Sequence, residues 1–115
     1  MSEANTQKAI LDWLAAKHIL AYRMNVGGLR DATGRTVRFG TPGMADILAF
    51  PNHKRRVDTV FGNVLTDISL PTWIEVKSVT GKQSALQISF QEQVEREGHK
   101  YILARDLKDV EEAMK

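Results

Sequence analysis

The chain has 115 residues, 43% of them hydrophobic and 26% charged, with a formal net charge of +2 and no cysteine. That length makes one domain, able to bury a core without cross-links, and the composition fits a soluble globular protein. It excludes a disulfide framework, a thiolate metal site and a thiol nucleophile; no apolar run approaches the roughly 18 residues of a membrane span, and no charged-then-apolar leader opens the chain. A reducing cytoplasm is the expected location, although a lack of cysteines also suits export.

Residues 3–17 are expected to form a helix. Ser2 suits the N-cap and Glu3 the first turn, and Ala4, Gln7, Ile10, Leu11 and Leu14 recur at helical spacing. Residues 19–25 follow as a strand, with Leu20, Tyr22 and Met24 alternating against Ala21 and Arg23. Gly27 and Gly28 break the pattern. They are not a phosphate-cradling loop, because no Lys-Ser/Thr follows. Residues 29–39 read as a hairpin around Asp31-Ala32-Thr33-Gly34, and Gly40 to Gly43 as a tight turn into a strand at 45–50.

The stretch 51–72 reads as an inserted hairpin, because twenty-odd structureless residues are unusual in a compact domain. Its alternation runs from Val57 to Leu70, with the turn expected near Gly62-Asn63. It is expected to pack on a partner or to flank the functional site. A buried strand follows at 73–79. Ser84 and Gln87 have the spacing of a capping box, so a helix starts there, with Leu86, Phe90 and Val94 on one stripe and Gly98 at its end. Residues 99–104 form a strand, and Asp106 caps a last helix to about Met114. The fold class is α/β: a mixed central sheet flanked by helices, ending in a right-handed βαβ crossover.

The basic residues are uneven along the chain. Arg23, Arg30, Arg35, Arg38, Lys54, Arg55 and Arg56 face only two acids within 23–56, while the remainder has more acids than bases. A basic segment on a near-neutral body suits a phosphate backbone, and a solvated loop face equally. The histidines are scattered without metal-ligand spacing and read as surface residues. Trp13 and Trp73 read as core or interface residues.

The chemistry concentrates in Trp73-Ile74-Glu75-Val76-Lys77. Alternation puts Trp73, Glu75 and Lys77 on one side of the strand. If this strand pairs with 45–50, Asp46 lands beside Glu75 and Lys77. Asp46, Glu75 and the backbone carbonyl of Val76 could then supply oxygen ligands to Mg²⁺, with waters and a phosphate oxygen completing the shell. A lone Glu-x-Lys is usually a surface ion pair. The apolar flanks of this one, and an acid opening a second apolar strand after a glycine turn, favour a site.

Taken in order, Gly40-x-x-Gly43-x-x-Asp46, Glu75-x-Lys77, Gly81 and Ser84-x-x-Gln87 with Phe90 resemble the VRR-NUC domain of the PD-(D/E)xK nuclease superfamily. The resemblance covers Glu3 to about Tyr101, and departs from the superfamily pattern at Ala45, where that pattern has proline. It implies a restriction-endonuclease-like α-β-β-β-α-β core with an inserted hairpin, and Mg²⁺- or Mn²⁺-dependent hydrolysis of DNA phosphodiester bonds. In that case Asp46 and Glu75 match the metal-binding acids, Lys77 the catalytic lysine, Glu3 the acid of the first helix and Gln87 the glutamine near the scissile phosphate. Glu3 also suits the dipole of its helix, and Gln87 also suits the cap.

Resemblance to small stand-alone members implies a homodimer acting on four-way (Holliday) junctions or other branched DNA, a role in DNA repair, and the cytoplasm of a bacterium or of a phage-infected host. Arg30, Arg35, Arg38, Lys54, Arg55, Arg56 and Lys82 are the expected phosphate contacts. The other reading is a DNA-binding module on the same fold without catalysis. A third is an α/β protein whose ion pairs are structural.

Overall fold

Four strands form one mixed sheet in a computed structural model that describes residues 2–24, 28–30, 32–38 and 41–115, with 28–30 and 36–38 described by their backbone. The elements in chain order are α1 (Glu3–Ala16), β1 (Leu20–Arg23), β2 (Gly28–Arg30), β3 (Thr36–Arg38), β4 (Ile47–Phe50), β5 (Asn52–Thr59), β6 (Gly62–Ser69), β7 (Thr72–Val76), α2 (Ala85–Arg96), β8 (Lys100–Ala104) and α3 (Leu107–Ala113). The sheet order is β1-β4-β7-β8, while β2 pairs with β3 and β5 with β6 as separate ribbons. β4 is antiparallel to β1 and to β7, and β7 is parallel to β8 across α2.

The apolar alternation of the strands decides where the helices go. The register stacks Ile47 beside Ile74 and Ile74 beside Ile102, so three isoleucines line one face. That face is covered by Ile10 and Leu14 of α1 and Val110 of α3, and all six are buried. Each such side chain contributes about 1.5–3 kcal/mol on burial. α1 starts where it does because Ser2 Oγ accepts the Asn5 N–H at 3.1 Å. Its buried residues Thr6, Ile10 and Leu14 recur every fourth position, the stripe that meets the sheet.

The other face carries the odd-numbered residues of β7. Trp73 meets Phe90 of α2 edge-on, with ring centroids 4.9 Å apart, and its Nε1–H donates to His99 Nδ1 at 3.0 Å. His99 is therefore a half-buried acceptor rather than the surface residue expected. Helices thus flank the sheet on both sides, as the alternation implied.

Two expectations need correction. The strand expected to run to Val79 ends at Val76, and Val79 is exposed in a turn. The inserted hairpin turns two residues earlier than expected: β5 starts at Asn52, and the turn is Val60-Phe61, with Gly62 at φ 106° opening β6. Its strands lie almost wholly exposed, so the arm projects instead of packing on the body. The arm lengthens the molecule to 61 Å, and the radius of gyration is 16.7 Å, against about 13 Å for a compact chain of this length.

Candidate functional site at the Asp46–Glu75 sheet edge

β4 leads away from Asp46 and β7 returns toward Glu75. The ladder Leu48↔Trp73, Ile47↔Ile74, carried one step further, sets Asp46 opposite Glu75, and residues opposite one another share a sheet face. Both are buried, Asp46 with 9% and Glu75 with 3% of its surface exposed. Asp46 is tied from two sides. The Val76 N–H donates to its Oδ2 at 2.8 Å, and its carbonyl accepts the Met24 N–H at 2.7 Å. The N–H and C=O of one strand residue point to the same edge, so the Val76 carbonyl also faces the β4 side.

Glu75 Oε1 accepts a hydrogen bond from Gln87 Nε2 at 3.0 Å. Lys77 Nζ stands 4.0 Å from the same oxygen, with its side chain 17% exposed. Glu75 Oε2 is buried without a hydrogen-bond partner. Burial pushes the Glu75 carboxyl up to about 8; the charge and close side-chain contact of Asp46, and more weakly the charge of Glu3, add to the rise, while Lys77 opposes it. Two carboxyl groups pressed together repel when both are ionised, and a retained proton or a nearby cation relieves that repulsion.

Three connections hold this edge. Gly43 has φ +83°, and a Cβ there would come within 2.4 Å of the Leu86 carbonyl oxygen in the first turn of α2. Only glycine allows the turn before Asp46 to lie against that helix. At the helix start, Ser84 Oγ accepts the Gln87 N–H at 3.2 Å and Gln87 Oε1 accepts the Ser84 N–H at 2.8 Å. Gln87 is thus both capping partner and Glu75 donor. The third connection is Arg105, just after β8, whose guanidinium donates to the carbonyls of Ser78, Val79 (3.2 Å) and Gly81 (2.8 Å). It gathers the turn that follows Lys77.

Glu3 reaches the same edge from α1, where its Oε1 accepts the Ser78 N–H at 3.0 Å. Its role therefore exceeds complementing the helix dipole. Among the described residues no three His, Cys, Asp or Glu side chains group closely enough to hold a metal ion. A divalent ion here would rest on two carboxylates, Asp46 and Glu75, plus the Val76 carbonyl, a sparse protein set that suits Mg²⁺ or Mn²⁺ with retained waters. The orphaned Glu75 oxygen fits that requirement.

The basic residues separate into two groups. The connection carrying β2 and β3 leaves β1 after Arg23 and rejoins β4 at Asp46, the site end of the sheet. Arg35 lies exposed on it, whereas Gly40 and the side chains of Arg30 and Arg38 fall outside the described residues. Lys82 sits in the loop between Lys77 and α2, also at this end. Lys54, Arg55 and Arg56 lie on β5, which leaves the sheet after Phe50, at its opposite end. The arm therefore does not flank the site. Lys54 is paired with Asp67 at 2.8 Å, and Arg56 donates to Asn63 at 3.2 Å.

Sequence reasoning missed Arg105, and also Tyr101 with Gln83. Gln83 Nε2 donates to Tyr101 Oη at 3.1 Å and to Gln91 Oε1 at 2.9 Å. Burial pushes the Tyr101 hydroxyl up to about 12, and the charges of Glu75 and Asp46 add to that rise. A charged residue closing an apolar strand at the sheet edge is the one signal that could have drawn attention to Arg105.

Compared with protein-family models, with curated proteins and with solved structures, the chain matches none.

Proposed function

We propose that the chain is a Mg²⁺- or Mn²⁺-dependent endodeoxyribonuclease with the restriction-endonuclease-like fold of VRR-NUC domains. The observation that carries this reading is the burial of Asp46 and Glu75 side by side, with an orphaned Glu75 oxygen and Lys77 4.0 Å from Glu75. A structural ion pair needs one acid for one lysine; here a second acid, Glu75, is buried beside Asp46, where it is held in its protonated form to about pH 8.

When bound, the divalent ion supplies electrostatic stabilisation of the phosphate and acidifies a water. The residues of the chain do the rest. Asp46 is anchored through Oδ2 by the Val76 N–H, which fixes its carboxyl group beside Glu75. Gln87 orients Glu75 through Oε1 and leaves Oε2 for the ion. Lys77 can donate to the attacking water or to the phosphate as negative charge builds there. In the net reaction a water oxygen bonds to phosphorus, the phosphorus–oxygen ester bond breaks, and the leaving oxygen takes up a proton.

Arg35 and Lys82, with Arg30 and Arg38 on the same connection as Arg35, are the phosphate contacts this reading favours, because they belong to the site end of the sheet. Branched or four-way-junction DNA as substrate, a homodimer and a cytoplasmic location complete the proposal. It is tested by incubating junction, flap and duplex DNA with the protein and Mg²⁺ or Mn²⁺. Wild type is expected to cleave and Lys77→Ala to remain folded without cleaving. Tight binding with no product under either metal would replace this reading with a non-catalytic DNA-binding module.

A further inference from the structure

We infer that the β5–β6 arm is an exchange arm, whose Val60-Phe61 tip docks in an apolar cleft at the arm base of a second copy of this chain. The inference specifies the contact within the proposed homodimer and does not depend on the chemistry of the Asp46–Glu75 site.

The tip is chemically out of place for a monomer. Gly62 at φ 106° supplies the left-handed residue of the turn, so nothing in its geometry calls for the apolar pair Val60 and Phe61 at the apex. They are 94% and 93% exposed. Val57, Val64 and Leu65 are exposed beside them. An isolated two-stranded ribbon is marginal in water, so an arm of this kind gains stability from a partner. Duplex DNA is the less suitable partner for the tip. Residues 57–65 contain no basic side chain, and their single charge is Asp58. A wedge between base steps needs cations beside it to meet the phosphates.

A matching cleft is present on the same chain. It has a volume of about 450 Å³, and its apolar wall is Trp13, Ile19, Pro51 and Met114. Lys17 and Lys115 stand on its rim against one acid, Glu111. The apolar wall suits Val60 and Phe61, and the two lysines suit Asp58. The arm cannot fill its own cleft. Asn52 and His53 line the cleft at the arm's base, while the tip lies eight strand residues farther out, a span of roughly 26 Å at about 3.3 Å per residue. A two-fold axis lets each tip meet the other copy's cleft, an isologous arrangement that closes at two chains.

The test exploits the absence of native cysteines. Light scattering after size exclusion is expected to give a dimer for wild type and a monomer for Phe61→Asp, a substitution at an exposed position that leaves the fold intact by circular dichroism. Mixing Phe61→Cys with Met114→Cys and oxidising is expected to give a linked dimer with one chain of each, absent when either variant is oxidised alone. A dimer that survives Phe61→Asp, or Phe61→Cys alone linking as readily as the mixture, overturns the exchange arm while leaving the nuclease reading to the cleavage assay. A wild type that remains monomeric at high concentration overturns both the arm contact and the homodimer.

Discussion

Gln87 and Glu75 are joined by a 3.0 Å hydrogen bond from Nε2 to Oε1, and the same glutamine closes the capping box of α2 through its own Oε1. One side chain therefore sets both where the helix begins and which Glu75 oxygen stays open. Gln87→Ala should weaken the helix start and free Glu75 to rotate. Loss of such a supporting partner is expected to lower divalent-ion affinity and cleavage by about 10–100-fold. Gln87→Glu should keep a capping acceptor while removing the donor to Glu75. Calorimetric Mn²⁺ affinity beside thermal melting separates the two roles, since Gln87→Glu should lose affinity with less loss of stability than Gln87→Ala.

Gly43→Ala should destabilise the protein far more than Gly98→Ala. Both glycines have positive φ, +83° and +87°, but only at Gly43 would a Cβ collide with backbone, 2.4 Å from the Leu86 carbonyl oxygen. Backbone strain alone costs on the order of 1–3 kcal/mol at each position, and the collision adds to it at Gly43. Urea unfolding of the two variants checks the order.

Arg105 is the guanidinium that gathers the turn after Lys77. Arg105→Met retains some of the apolar stem and loses the bonds to the carbonyls of Ser78, Val79 and Gly81. A hydrogen bond to a charged group is worth about 1.5–3 kcal/mol. A stability loss of roughly that size is expected, together with reduced cleavage, because the turn follows directly on Lys77 and holds the Ser78 N–H that donates to Glu3. Full activity in a destabilised Arg105→Met would separate the turn from the chemistry.

The sign of the pH dependence follows from Glu75. Folded, it keeps its proton to about pH 8, whereas an ordinary glutamate releases it near 4.5. Between those values the folded state holds more protons, so this residue makes stability fall as pH rises from about 4.5 to 8, by at most about 1.4 kcal/mol per pH unit, with no further change above. Glu75→Gln removes that contribution. Metal-free wild type compared with Glu75→Gln should show the difference in denaturant midpoints across this window, and saturating Mn²⁺ should flatten it. A wild type that gains stability relative to Glu75→Gln over the same window would contradict the assignment.

Much of this was legible in the sequence, for identifiable reasons. The Ser84-x-x-Gln87 spacing located the start of α2, and the alternation of Ile74 and Val76 against Trp73 and Glu75 located β7. Once β4 and β7 are paired, Asp46 must stand opposite Glu75. The arm was harder to read because its strands are held by backbone pairing and bury neither face, so Asn52 to Arg56 carry no apolar alternation. An apolar pair at a turn resembles strand, so local pattern points to Gly62-Asn63 for the tip instead of Val60-Phe61. Val79 reads as the last residue of β7, but it lies in a turn whose carbonyls accept from Arg105, a partner 26 residues away that local patterns cannot reveal. Glu3 was assigned to the site by resemblance, and its bond to Ser78 bridges 75 residues.

Isothermal titration of Mn²⁺ into metal-free wild type and Asp46→Asn tests the shared-cation claim most directly. The account predicts saturable binding of one ion per site in wild type, with proton release at neutral pH as Glu75 ionises, and loss of that binding in a folded Asp46→Asn. Equal binding by both proteins, or no binding by wild type, would contradict it.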